Sequence, residues 1–230
     1  VADPRPARLS ALREGMLAAH LDGLLVTGLT NIRYLTGFSG SSALLLVTPR
    51  DALLLTDFRY ETQVGAEVGS TVRVRIERTS LWQGLWQALP GLAGLQVIGF
   101  ESPHLAHRDL QRLLEDGSRW QWRPTSDLVE ALREAKDGGE VAAIEAAVAV
   151  AERALERLLP TIRVGQSERE IAGDLERALR HAGSDGFAFP SIVASGPNSA
   201  LPHARPSARA VAAGDFLLLD FGAVVDGYRS

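Results

Sequence analysis

The 230-residue sequence contains no cysteine, one methionine and a single lysine, Lys136. Without cysteine there is no disulfide, no thiolate metal site and no cysteine nucleophile. One lysine against an abundance of arginine leaves little room for a lysine-based mechanism. Long hydrophobic runs are missing too: the longest, such as Leu44–Val47, are strand-length and far too short to span a bilayer. The first residues, Val1-Ala-Asp-Pro-Arg-Pro6, are polar and carry no signal-peptide pattern, which with the lack of cysteine suits a cytoplasmic protein. Positive charge is not in excess: the net charge is −4, and no basic patch is interleaved with aromatics, which argues against nucleic-acid binding. No Walker motif, dinucleotide fingerprint or Gly-x-Ser-x-Gly elbow is present. Internal repeats and low-complexity tracts are absent as well.

What remains is a globular composition, 46% hydrophobic and 23% charged. Leu9, Leu12, Met16 and Leu17 at helical spacing predict a helix ending near Asp22-Gly23. Strands are expected at Leu24–Thr27, Ala43–Val47 and Ala52–Thr56, the last two joined by a proline-containing turn. The segment Thr30–Gly40 reads as a turn of helix and a loop. Val72, Val74 and Ile76 alternate with arginines, a strand with one wet face. Helices over Leu81–Leu89 and Leu105–Leu114 alternate with strands over Leu95–Phe100 and Trp120–Trp122. This alternation predicts an α/β domain over residues 1–125.

Beyond residue 126 the pattern predicts a second domain, 126–230. A short helix spans Asp127–Ala135, and Lys136–Gly139 reads as a break. Apolar residues from Val141 to Leu158 recur at three and four. Ser167-Glu-Arg-Glu170 is a capping box opening a helix that closes at Gly183. Phe216–Leu219 reads as a buried strand leading into Asp220. A carboxylate at the end of a buried strand must be paired, hydrogen-bonded or metal-bound; bonding to backbone N–H groups is the ordinary alternative. Asp226-Gly227 is a hairpin signal. Folding about Val225-Asp226 would set the position after Ser230 opposite Asp220, a spacing suited to two acids gripping a pair of ions. His203 lies in a loop bounded by prolines, where a lone histidine is usually just exposed. His20, His104, His107 and His181 read as surface residues. His104 and His107 are three apart, but no nearby acid pattern supports a metal there.

The ordered set Phe189-Pro-Ser-Ile-Val-Ala-Ser-Gly196, Leu201-Pro-His203, Gly214-Asp-Phe-Leu-Leu-Leu-Asp220-Phe-Gly and Asp226-Gly-Tyr-Arg-Ser230 resembles the Xaa-Pro peptidases. These are the proline dipeptidases and aminopeptidases P of the pita-bread metallopeptidase family. The resemblance extends back through Leu132–Lys136, Asn31–Gly40 and Thr56–Tyr60. It implies a creatinase-like α/β domain followed by the first half of a pita-bread domain. It also implies metal-dependent hydrolysis of the Xaa-Pro bond with two divalent ions, Mn²⁺ or else Co²⁺ or Zn²⁺, acting on a proline-containing dipeptide or peptide in a homodimer. Asp220 is similar to the first of five metal ligands. His203 is similar to the family histidine beside the scissile bond, both catalytic and substrate-binding. Phe189 resembles a wall of the proline pocket. Asn31, Arg33, Tyr34, Asp57 and Arg59 are candidates for substrate-end recognition or subunit contact, or equally for holding loops together. The remaining four ligands are expected beyond Ser230, so this chain alone is expected to be inactive and to leave an apolar face uncovered. The alternatives are a metal-free creatinase-like C–N hydrolase and a non-catalytic peptide-binding module.

Overall fold

The computed structural model describes residues 3–230, and the chain divides by its contacts into two units, Val1–Ala135 and Lys136–Ser230. In the first unit α1 (Arg5–Ala18) turns Leu9, Leu12 and Met16 inward, whereas Leu17, adjacent to that stripe, is exposed. After β1 (Gly23–Val26) comes α2 (Leu29–Thr36), two turns of helix closed by Gly37 at φ 84°, where only glycine is at ease. A hairpin, β2 (Ala43–Val47) and β3 (Ala52–Asp57), follows. Next is α3 (Glu61–Glu67), which the sequence pattern had not suggested. Then come β4 (Arg73–Glu77), α4 (Leu81–Ala88), β5 (Val97–Glu101), α5 (His107–Glu115), β6 (Gln121–Thr125) and α6 (Glu130–Glu134).

The six strands form one sheet in the order β4-β3-β2-β1-β5-β6. Only β2 runs against the rest. Successive residues of a strand face opposite sides, and here both sides are covered. Leu24, Val26, Leu45, Val47 and Leu54 pack with α1, α2 and Val129. Leu25, Leu46, Leu53, Leu55 and Ile98 pack with Leu85 of α4 and Leu113 of α5. Double coverage is why these strands read as unbroken apolar runs. The two edges are more polar: Val74 of β4 is exposed, and Pro124 of β6 sits on an edge strand, where its missing N–H is tolerated.

Leu128, Val129 and Leu132 join the first unit's core, so the division falls at Ala135 rather than at residue 125. In the second unit α7 (Gly138–Leu158) begins within the supposed break. Asp137 Oδ1 accepts from the N–H groups of Gly139 and Glu140, and Glu140 accepts from Asp137 N–H in return, a capping box that tolerates two glycines in the first turn. α8 (Glu168–Ala182) runs from its Ser167 box to Gly183 at φ 105°. β7 (Ile192–Ser195) pairs antiparallel with β8 (Leu217–Asp220), and β9 (Val224–Val225) pairs with β10 (Tyr228–Arg229). One face carries the core: Val150, Ala154 and Leu158 of α7 and Ile171, Leu175 and Leu179 of α8 meet Val193, with Leu217 and Leu219 packed against them.

β8 corrects the expectation of a buried strand. It is half-buried on one face, through Leu217 and Leu219, and open on the other: Phe216, just before it, is 86% exposed and Leu218 39% exposed, and Asp220 is exposed as well. An apolar run shows that a segment favours a strand, but not that both of its faces are covered.

Candidate functional site

The exposed face of β8 bears Phe216, Leu218 and Asp220 in alternation. Register sets Asp220 opposite Ile192 and Leu218 opposite Ala194. Among the described residues no hydrogen bond or ion pair engages the Asp220 carboxylate. It therefore stands as an uncommitted anion on an apolar sheet face.

The Asp226-Gly227 turn forms as expected, with φ 48° and 74°, the pair of left-handed residues that a two-residue type I′ turn requires. Its axis is different. Tyr228 pairs with Val225 and Ser230 N–H donates to Ala223 O, so the turn pivots between Asp226 and Gly227 rather than between Val225 and Asp226. Continued in this register, a residue after Ser230 would face Gly222 and lie diagonal to Asp220. Diagonal partners are roughly 7–8 Å apart at Cα. Gly222 itself is confined: a Cβ there would lie 2.3 Å from Ser230 O and 2.8 Å from the Ala188 Cβ.

Phe189 is brought to this segment by a bulge. Phe187 bridges to Ala223 and Ile192 pairs with Asp220; between these points one strand advances five residues and the other three. The two surplus residues are taken up around Phe189-Pro190-Ser191, where proline has no N–H to pair. The Phe189 ring comes within 3.3 Å of where a Gly222 side chain would begin and is 38% exposed. Ser191, in the same bulge, buries a hydroxyl that has no hydrogen-bond partner among the described residues, a costly arrangement unless something bonds to it.

His203 is exposed on the loop that leaves β7 through a 3₁₀ turn, Gly196–Ala200. Leu201 beside it is 56% exposed. No hydrogen bond among the described residues engages the His203 ring. Both stems of this loop are tied to Glu168, the first residue of α8. Burial alone would raise the pKa of Glu168, but hydrogen bonds from Ser207, Ser195 and Asn198 outweigh it and hold the carboxyl at about 2. No pattern in the sequence hints at this acid's role.

In the first unit, Asn31 is buried and its amide is consumed. Nδ2 donates to Glu101 Oε1 at 2.7 Å and to Glu130 Oε1 at 2.6 Å, while Oδ1 accepts from Arg133 at 2.9 Å. The Tyr34 hydroxyl donates to Leu132 O, and Arg8 stacks over its ring. For these two the geometry supports the loop-holding alternative. Arg33 is half-buried with no side-chain hydrogen bond among the described residues. Asp57 and Arg59 form a two-point ion pair at 2.8 and 2.7 Å. That side-chain bond from Arg59 is the main reason the Asp57 carboxyl sits down at about 2. They line a cleft of about 230 Å³ together with Ser42, Glu77, Arg78 and Ser80. A larger cavity of about 540 Å³, around Asp22, Thr48 and Gly91, contains none of the candidate residues.

His104 is not isolated from acids, contrary to expectation. Glu101, His104 and Glu130 place one ligand-type atom each within 4.8 Å of one another. Glu101 already accepts from Thr27 N, Gly28 N and Asn31, and His104 and Glu130 bond each other at 2.8 Å. The group is thus a closed hydrogen-bonded brace joining β5, the start of α2 and α6. Sequence could not reveal it, because Glu130 returns to Glu101 and His104 only once β6 lies beside β5 and Asn31 bridges the two acids.

Two successive domains with these traits define a class: residues 8–135 match the Creatinase/Prolidase N-terminal domain and residues 142–230 match Metallopeptidase family M24, and the chain belongs to this creatinase/prolidase family. Among curated proteins it is 34% identical over 223 residues to an uncharacterised peptidase of Bacillus subtilis, covering 97% of this chain and 63% of that one. It is 29% identical to an Xaa-Pro dipeptidase of Pyrococcus horikoshii, covering 91% and 58%. Among solved structures, an Xaa-Pro dipeptidase from Bacillus anthracis superposes with a TM-score of 0.92 at 33% identity, over 98% of this chain and 63% of that one. An X-Pro aminopeptidase from Thermotoga maritima gives 0.84 at 30% identity, over 96% and 62%. The chain thus spans a little under two thirds of the length of these relatives. Among the described residues no helix is long and apolar enough to cross a membrane.

Proposed function

We propose that the full-length protein hydrolyses the peptide bond between an amino acid and proline, using divalent metal ions, as a cytoplasmic homodimer. The observation that carries this reading is Asp220: an uncommitted carboxylate on an open apolar face, with the Phe189 ring held against the neighbouring Gly222 and within the segment that matches the metallopeptidase family. The donor chemistry fits. A free carboxylate suits hard or borderline ions such as Mn²⁺, with Co²⁺ or Zn²⁺ as alternatives, and Asp220 would hold one of them. Bound ions would supply an activated water and polarise the scissile carbonyl.

The chain's own residues would do the rest. An Xaa-Pro bond is a tertiary amide with no N–H, so recognition must rest on the ring's shape. Phe189 provides an apolar wall for it. His203, on an exposed loop, would bind the substrate beside the scissile bond and carry a proton there. Arg33, Asp57 and Arg59 remain the candidates of the first unit for grasping the substrate's end or a second subunit.

The test is cleavage of Xaa-Pro dipeptides and of longer Xaa-Pro peptides by full-length protein, with and without Mn²⁺. Asp220→Ala is expected to lower bound metal and kcat by about 100-fold or more, since even residues that merely support a metal ligand cost 10–100-fold. A full-length protein loaded with Mn²⁺ that cleaves neither substrate, or an Asp220→Ala variant as active as its parent, would overturn the reading. Preference for dipeptides or for longer peptides separates the two activities named among the relatives.

A further inference from the structure

The Glu168 carboxylate is fully buried and is surrounded by donors from two segments that lie far along the chain. Oε1 accepts from Ser195 N at 2.7 Å, Ser195 Oγ at 2.9 Å and Asn198 Nδ2 at 3.0 Å. Oε2 accepts from Ser207 N at 3.0 Å and Ser207 Oγ at 2.7 Å. Ser195 is the last residue of β7, where the chain departs toward His203; Ser207 is where it returns. The backbone reinforces the return stem: Glu168 N–H donates to Arg209 O and Arg169 N–H to Ser207 O. Arg209 in turn donates to Ser195 Oγ at 2.6 Å and to Asp215 at 2.7 Å, so the two stems are also tied to each other.

A buried charge is a costly way to close a loop, since packed apolar residues of similar volume often do as well or better. What such a charge adds is direction. Short, charge-assisted hydrogen bonds fix where each donor must lie. Here they fix both ends of residues 196–206, while the tip of that loop, Leu201 to His203, is exposed.

We propose that Glu168 is a positioning residue: its carboxylate pins both stems of the loop and so sets where the His203 imidazole stands. This rests on the reading that His203 acts in the peptidase site. Glu168 would not touch the substrate, and its effect would pass entirely through His203.

The experiment is a double-mutant cycle in the full-length, metal-loaded protein, measuring kcat and KM on an Xaa-Pro substrate for Glu168→Gln, His203→Ala and the pair. Glutamine keeps the shape but turns one acceptor oxygen into a donor, leaving the N–H groups on one stem unanswered. The expected result is a fall in kcat of about 10- to 100-fold, the scale on which misplacement by an ångström acts, with bound metal unchanged. Added to His203→Ala, the Glu168→Gln change should cause little further loss. Ser207→Ala, which removes one hydroxyl and leaves the carboxylate in place, should act in the same direction more weakly and covers the case in which Glu168→Gln fails to fold. If His203→Ala leaves kcat untouched, the role of His203 itself fails. If His203→Ala matters but the Glu168 and Ser207 losses simply multiply with it, or appear only as a lowered Tm with kcat intact, Glu168 is a brace and the positioning proposal is overturned.

Discussion

The two units handle their sheets differently. In the first, helices cover both faces, and strands such as β1 and β2 are buried along their whole length. In the second, α7 and α8 cover one face of the β7–β8 pair, while Phe216, Leu218 and Asp220 stand on the other. The difference separates two uses of the same building material. The first sheet is covered on both faces, whereas the second leaves a face of mixed apolar and acidic character exposed. The acids follow the same division. Glu101 and Glu168 are buried and fully bonded; Asp220 is exposed and bonded to nothing among the described residues.

Three measurements would break or sharpen this contrast. The largest effect is expected for Leu54→Ala, which leaves a cavity in the doubly covered sheet and should cost about 2–5 kcal/mol. Leu218→Ala on the open face should cost less, about 1–2 kcal/mol, because more than a third of that residue is already in water and no closed cavity is left. Equal losses in denaturant titration would show that the second face is covered after all. Next is pH. The folded pKa of Glu168, about 2, lies below its ordinary value of 4.5. Its contribution is therefore complete above about pH 4.5 and lost as pH falls toward 2, of order 3 kcal/mol in all. The stability gap between the parent and Glu168→Gln should narrow over that window; a gap that is constant in acid would remove the carboxylate's charge from the explanation. The smallest effect belongs to Asp57, whose pKa is equally low but whose partner, Arg59, is largely solvent-exposed. Arg59→Ala should change thermal stability by less than about 1 kcal/mol, and a larger loss would mean that this pair is structural.

Much of the fold was legible because local signals agreed with the outcome. Ser167 and Glu170 announced the start of α8 and Gly183 its end, and the apolar runs announced β1, β2 and β3. Asp226-Gly227 announced a hairpin, but the dipeptide does not say which bond is its axis, and the register shifted accordingly. α3 escaped notice because its seven residues hold a glycine and only one buried side chain, Val64, too few to show a period. Of the site, Asp220, His203 and Phe189 were visible as members of a resembling pattern. The bulge that delivers Phe189 was not, since it arises from pairing with residues beyond 220. Nor was Glu168: an acid in a first helical turn looks like ordinary dipole compensation, and its partners come 27 and 39 residues later.

The hairpin over Gly222–Ser230 counts in twos. Each residue inserted between Asp220 and Ser230 turns the following side chain to the opposite face, whereas a pair of residues merely lengthens the arm. A change of even length therefore keeps each side chain on its face and an odd one reverses it, provided that Gly222 and the Asp226-Gly227 turn are kept. Parity sets which face a side chain takes beside Asp220, and identity sets whether the turn and the close approach at Gly222 can form at all.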